Sequence, residues 1–304
     1  MKRSFYSDIL IGIFIFLLIN VLTTKFLKET YGLTTKEQIE YSFKRIENLK
    51  YNGIILGNSR MYRGINPDKL KFGNFYNFAH DNDSFNQMYY KLLYVENKSN
   101  KKIKYLIMGV DYFQFSFLSD TRNYIYGNKF SNEYMKDFEN SKNFINKLNF
   151  YFEEKATKFK ISLNTLLEVM KNRKIIKTYK LEENGWYHEQ INKKGQLSDT
   201  VKREWEILEV QKKYFFYILE YCKKNNIKVF MVMAPLRKVE EKCYPKEIVE
   251  KYKKFFISNI GIDYLDYSHY LDSNIEYFED VTHLNEKGAN KFSEELNNKI
   301  SSLL

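Results

Sequence analysis

Two short runs carry residues that could do chemistry together. Ser59 lies in Gly57-Asn58-Ser59-Arg60, directly behind the apolar run Ile54-Ile55-Leu56, and Asp280 and His283 share the stretch Asp280-Val281-Thr282-His283. A serine hydroxyl is a weak nucleophile until an imidazole takes its proton, and the imidazole in turn needs a carboxylate to fix its tautomer. The order Ser…Asp…His supplies all three groups. Ser59 would attack an acyl carbon, His283 would act as base and then as acid, and Asp280 would orient His283. Each residue also has a plainer use: Ser59 as a helix cap, His283 as a loop residue, Asp280 as a cap on the turn it precedes. The pairing of the two runs favours the catalytic use.

These residues resemble the blocks of the SGNH (GDSL-like) hydrolase superfamily. Its first block, Gly-Asp-Ser after strand one, reads here as Gly57-Asn58-Ser59. Its last, Asp-x-x-His, reads as Asp280-Val281-Thr282-His283, followed by Leu284-Asn285-Glu286-Lys287-Gly288. The longer run Gly57-Asn58-Ser59-Arg60…Gly64-Ile65-Asn66-Pro67 is similar to the membrane-anchored branch that modifies cell-surface polymers. The resemblance spans roughly residues 51 to 304 and implies an acyl-ester chemistry through a covalent serine intermediate.

Acyl transfer also needs donors aimed at the tetrahedral oxyanion. The backbone N–H of Ser59 is the first candidate. The resemblance implies a second from a glycine after strand two, but this chain reads His80-Asp81-Asn82-Asp83-Ser84; Asn82 can supply the turn because Asn tolerates positive φ. The third implied donor is an Asn side chain after strand three, where this chain has Asp111, and an ionised Asp accepts rather than donates. Either Asp111 has another role, such as anchoring Arg60, or Asn77 or Asn82 supplies the missing donor. Arg60, Asp111 and His80 are candidates for substrate binding. For Arg60 the choices are a carboxylate or phosphate on an acidic polymer, or an ion pair with Asp111 or Asp68. Trp186, Tyr187, Tyr112 and Phe113 are candidates to stack on sugar rings or to pack in the core. His188 and His269 have no Cys or carboxylate at metal-ligand spacing, so no metal or cofactor is expected.

The elements that must position these residues alternate. Short apolar strands are expected at 54–56, 75–79, 103–110, 229–235 and 262–266, and helices at 84–95, 201–224, 246–258 and from 285 onward, with Ser84 and Gln87 as a capping box for the first of them. This pattern implies an α/β three-layer sandwich with a mostly parallel sheet flanked by helices, SGNH- or flavodoxin-like, with its site at the carboxyl ends of the strands. Residues 116–200 are Asn-, Lys- and aromatic-rich and read as an insertion, a lid or a substrate-facing subdomain.

Ahead of this domain, residues 1–25 read as a transmembrane anchor. No charge interrupts Ile9 to Val21, and Lys2 and Arg3 precede it, which places the N-terminus in the cytoplasm and the domain outside, although Lys25 and Lys28 follow. Residues 26–50 are charged and helical in character and read as a stalk. The 304 residues carry 49 Lys and Arg against 38 Asp and Glu, a formal charge of +11, which suits anionic partners; no nucleic-acid-binding motif accompanies it, and none is expected as a partner. Cys222 and Cys243 read as two free thiols, with pairing open if the domain faces outward.

The reading is therefore a cell-membrane, single-pass, extracytoplasmic serine esterase or O-acyltransferase. The resemblance implies cell-surface polysaccharide or teichoic acid as substrate and a membrane-bound O-acyltransferase as a possible partner. The alternative is a catalytically impaired binding or assembly factor for surface polymers.

Overall fold

A computed structural model describes residues 5–27, 35–48, 50–98, 102–111, 114–116, 123–127, 129–138, 179–189, 207–258, 261–272 and 274–304, with scattered positions between 148 and 171. In chain order the helices and strands are α1 (Phe5–Leu27), α2 (Thr35–Asn48), β1 (Gly53–Leu56), α3 (Ser59–Gly64), β2 (Phe75–Asn77), α4 (Phe85–Lys98), β3 (Tyr105–Gly109), α5 (Asn123–Tyr126), β4 (Tyr179–Leu181), β5 (Tyr187–Glu189), α6 (Glu209–Lys224), β6 (Lys228–Met233), α7 (Lys238–Glu241), α8 (Lys246–Ile257), β7 (Asp263–Asp266) and α9 (Glu286–Ser301).

Five strands form one sheet in the order β2-β1-β3-β6-β7, and every neighbouring pair is parallel. Setting aside the hairpin β4–β5, this is the doubly wound order 2-1-3-4-5, whose direction reverses between β1 and β3. β1 and β2 are fully buried, β3 and β6 are buried beyond their first residue, only Leu265 is buried in β7, and alternation along the strands feeds two cores. Ile54, Leu56, Leu106, Met108, Met231 and Met233 point to the core covered by α2, α4, α6 and α8. Ile55, Ile107, Phe230, Val232 and Leu265 point to the other, covered by α3 and α9 through Met61, Tyr62, Phe292 and Leu296. The architecture is thus the expected three-layer α/β sandwich.

The helix α4 begins as its residues dictate: the Gln87 side chain turns back to accept from the Ser84 backbone N–H at 3.0 Å. The helix expected from 201 begins only at Glu209, where Leu208 caps it in an extended conformation; residues 201–206 lie outside the described residues. One expectation is corrected. α2 is no stalk reaching away from the domain: Ile39, Phe43 and Ile46 are buried in the same core as β1 and α4, because their spacing puts them on one helical face. The preceding residues 28–34 of that expected stalk lie outside the described residues.

Within α1, Phe5–Leu22 is long and apolar enough to cross a membrane, and only 6% of that window is buried. Phe5, Leu10, Phe14 and Val21 stand exposed. Both cysteines are free thiols. Burial, with a smaller contribution from Glu96, pushes the Cys222 thiol up to about 12.

Candidate active site

The turn after β1 is built to leave the Ser59 hydroxyl unspent. Gly57 has φ +154, and a Cβ there would lie 2.4 Å from the Met61 side chain. The capping role belongs to Asn58, whose Oδ1 accepts from the Arg60 backbone N–H at 3.0 Å, so Ser59 opens α3 without serving as its cap. Six residues are too few for a helix to hold itself, and α3 is stabilised by the burial of Met61 and Tyr62. The Asn77 amide secures its far end, donating to Met61 O at 2.9 Å and Ile65 O at 3.0 Å.

The second half of the site arrives on the loop between β7 and α9. Phe278 and Leu284, each 4% exposed, pair across the base of this loop, and Glu279 N–H donates to His283 O at 2.9 Å. Inside it, Asp280 Oδ1 accepts from the backbone N–H groups of Thr282 and His283 at 2.7 and 2.8 Å and from the Thr282 hydroxyl at 2.9 Å. Asp280 Oδ2 lies 2.8 Å from His283 Nδ1, and His283 Nε2 lies 2.7 Å from Ser59 Oγ. With Nδ1–H donated to the carboxylate, Nε2 is left as acceptor for the serine proton. Burial pushes the Asp280 carboxyl up, but its hydrogen bond and charge interaction with His283 and the two backbone N–H groups outweigh this and hold it well below the usual carboxylate range. The structure therefore brings Ser59, His283 and Asp280 into one hydrogen-bonded line, with the serine half-buried.

The other site candidates fall differently. Asn82 sits exposed on the turn after β2 with φ 57. That turn runs beside the turn that carries Ser59, since His80 N–H donates to Gly57 O at 3.3 Å. Asn77 is corrected as an oxyanion donor: it is fully buried and its N–H groups are taken by the α3 carbonyls. Arg60, Asp111 and His80 are corrected as substrate-binding residues, being 4%, 3% and 2% exposed. Arg60 Nη1 donates to Asp111 Oδ1 at 2.5 Å and Asn58 Nδ2 to Asp111 Oδ2 at 3.0 Å, so Asp111 anchors the turn on either side of Ser59. His80 lies between Ser42 Oγ at 3.1 Å from Nε2 and Lys91 Nζ at 2.6 Å from Nδ1. A buried charge needs such partners, and these residues have found theirs inside the protein.

Arg63, which the sequence did not single out, completes the rim together with Trp186 and Tyr187. Arg63, one turn after Ser59, reaches Asp81 at 3.2 Å and Glu279 at 3.5 Å, tying the β2–α4 turn to the histidine loop. Its carbonyl accepts from Trp186 Nε1 at 2.9 Å, and Tyr187 stacks on Tyr62 with centroids 5.1 Å apart. Trp186 is 4% exposed and stacks on His188 at 4.0 Å, so it packs rather than presenting a face to sugar. Tyr112 and Phe113 lie outside the described residues. The hairpin β4–β5 thereby docks on α3 and on β2, where Asn77 N–H donates to Asn184 O at 2.9 Å. Gly185, with φ +86, presses so closely that a Cβ would lie 2.1 Å from Asn77 O. Among the described residues no group of His, Cys, Asp and Glu could hold a metal ion. A separate cavity of about 520 Å³ between α6 and α8, lined by Phe115, Tyr252 and Phe255 among others, includes none of Ser59, His283 and Asp280.

No protein-family model and no curated protein matches the chain. Among solved structures it is similar to a GDSL-like lipase from Bacteroides thetaiotaomicron, at 9% identity and TM-score 0.43, covering 89% of this chain and 100% of that one. It is also similar to a Bacteroides fragilis protein described as an acylhydrolase, at 11% identity and TM-score 0.40, covering 86% and 95%. The chemistry has to be read from the side chains themselves.

Proposed function

We propose that this protein is a membrane-anchored, extracytoplasmic serine esterase or O-acyltransferase acting on acyl esters of cell-surface polysaccharide or teichoic acid. The observation that carries the reading is the continuous line Ser59 Oγ, His283 Nε2, His283 Nδ1 and Asp280 Oδ2, with hydrogen bonds of 2.7 and 2.8 Å. In this reading Ser59 Oγ attacks the ester carbonyl while His283 Nε2 takes its proton. The oxyanion is held by the Ser59 N–H and by a backbone N–H of the turn around Asn82. The tetrahedral intermediate collapses, the C–O bond to the alcohol breaks, and His283 returns the proton to the leaving oxygen. Acyl-Ser59 then passes its acyl group to water, as an esterase, or to a sugar or polyol hydroxyl, as a transferase, with His283 again as base.

A second reading, a surface-polymer binding or assembly factor without turnover, is favoured by one observation: Asp111 stands where an Asn donor is expected, and both its oxygens accept from within the protein. A fluorophosphonate probe separates the two. Wild type is expected to label and Ser59→Ala not to; a wild type that does not label, yet still hydrolyses no activated ester, favours the second reading. Anchoring is supported by the exposed apolar helix Phe5–Leu22. It is tested by carbonate extraction of membranes together with protease shaving of intact cells, where release of the domain only after lysis would contradict the orientation. A membrane-bound O-acyltransferase partner would be expected to co-purify in mild detergent.

A further inference from the structure

Beneath the turn that follows β2 lies a lysine with no exposure at all. Lys91, on α4, donates to Phe78 O at 2.6 Å, to His80 Nδ1 at 2.6 Å and to Asp83 Oδ2. Its ammonium also lies 4.7 Å from the centroid of the Phe78 ring and 5.4 Å from that of Tyr126. An ammonium has three N–H donors, and here three acceptors come from the beginning, middle and end of one short stretch of chain. Because His80 Nδ1 accepts from Lys91, its Nε2 carries the proton and donates to Ser42 Oγ. Asp83, 1% exposed, uses its other oxygen to accept from the Tyr126 hydroxyl at 2.8 Å. Tyr126 belongs to α5, in the region inserted after β3.

What this network supports is the turn itself. His80 is bonded to Gly57, Asp81 to Arg63, and Asn82 takes positive φ at the exposed tip. Among the described residues no protein acceptor takes the backbone N–H of Asp81 or Asn82. A donor of this kind serves an oxyanion only if the turn holds it in place before the reaction; the turn has no glycine, and its backbone bonding to the end of β1 stops at His80. A buried ammonium with a tripod of contacts is a far stiffer support than an exposed loop makes for itself.

We infer that Lys91, Asp83 and Tyr126 are positioning residues that clamp the 80–83 turn as the second wall of the oxyanion site, so that the inserted region sets the rate of acyl transfer from below. This rests on the serine-ester reading above. None of the three touches the reacting atoms; each acts through the backbone of the turn.

The test is Tyr126→Phe, which removes one hydroxyl and leaves the Lys91–Asp83 pair in place, alongside Lys91→Met. The full chain in detergent is assayed on p-nitrophenyl acetate, with phenylboronic acid as a tetrahedral mimic. Tyr126→Phe is expected to lower kcat about 10- to 100-fold with KM within about twofold, the loss that follows from a displaced group, and to weaken the boronate by a similar factor. Ile218→Val, in α6 and away from the turn, is the control for lost stability and should leave both values unchanged. Unchanged kcat and boronate affinity in Tyr126→Phe, with wild type active, would overturn the clamp alone, even if melting temperature fell. A wild type that neither labels at Ser59 nor turns over the ester would overturn the serine-ester reading and the clamp with it.

Discussion

At the turn after β1, Asn58, Arg60 and Asp111 are 2%, 4% and 3% exposed and hold one another through side-chain hydrogen bonds, one of them an ion pair. At the loop before α9, the Asp280 side chain keeps 38% of its surface exposed and shapes its turn mainly by accepting backbone N–H groups. The first arrangement is a buried charge that cannot lose one member without stranding another. The second is a rim element whose carboxylate can be altered while the loop remains closed by Phe278 and Leu284. Stability and activity should therefore separate between the two.

The sharpest separation is expected at Asp280. Asp280→Asn keeps an oxygen for the backbone N–H groups but presents the wrong partner to His283, and kcat should fall by about 10⁴. Chemical unfolding should move by less than about 1 kcal/mol. A fall in stability as large as the fall in activity would erase the contrast with the nucleophile turn. At that turn the order reverses. Asp111→Asn leaves Arg60 buried beside a neutral amide and should cost about 3–5 kcal/mol in urea unfolding. Combining it with Arg60→Met should recover much of that loss, since both charges are then gone. Equal losses in the single and double variants would show that the pair is not the source of the stability.

The smallest effect is in pH dependence. Asp280 holds its proton less tightly when folded than when unfolded, so its contribution is fully present above the unfolded value of about 3.9. It is lost as the pH falls below that value and through the depressed folded one. Wild type and Asp280→Asn should therefore run parallel in melting temperature from neutral pH to about pH 5, and wild type should fall faster below about pH 4. The exposure of the group keeps the difference small. Curves that diverge above pH 6 would point to another titrating group.

Much of the scaffold was legible because it is local. Ile54-Ile55-Leu56 before Gly57 is a buried strand on composition alone, and Ser84 with Gln87 announces a helix start. The serine turn and the Asp-x-x-His run were likewise readable, since each is compact and lies at the end of an element. What escaped depends on distant partners. Nothing near Lys91 in Tyr90-Lys91-Leu92 shows that the turn at 78–83 folds back over it, whereas the pairing of Arg60 with Asp111, one of the two counter-charges the sequence offered, is what the structure shows. Asn77 looked free to donate until α3 placed two carbonyls against it. Two further elements do carry a local signal. Ile39, Phe43 and Ile46 form a helical stripe inside a charged stretch, and Asn184-Gly185 between Tyr179–Leu181 and Tyr187–Glu189 is a hairpin turn.

That hairpin has a consequence beyond the rim it helps to build. β2 is the outermost strand on its side, and an unguarded outermost strand offers its amides to any other chain that can align with it. Asn184 takes up the Asn77 amide and Gly185 lies flat against the neighbouring carbonyl, so a foreign strand meets an occupied border there. Such a seal closes this flank of the sheet to pairing with a strand of another chain.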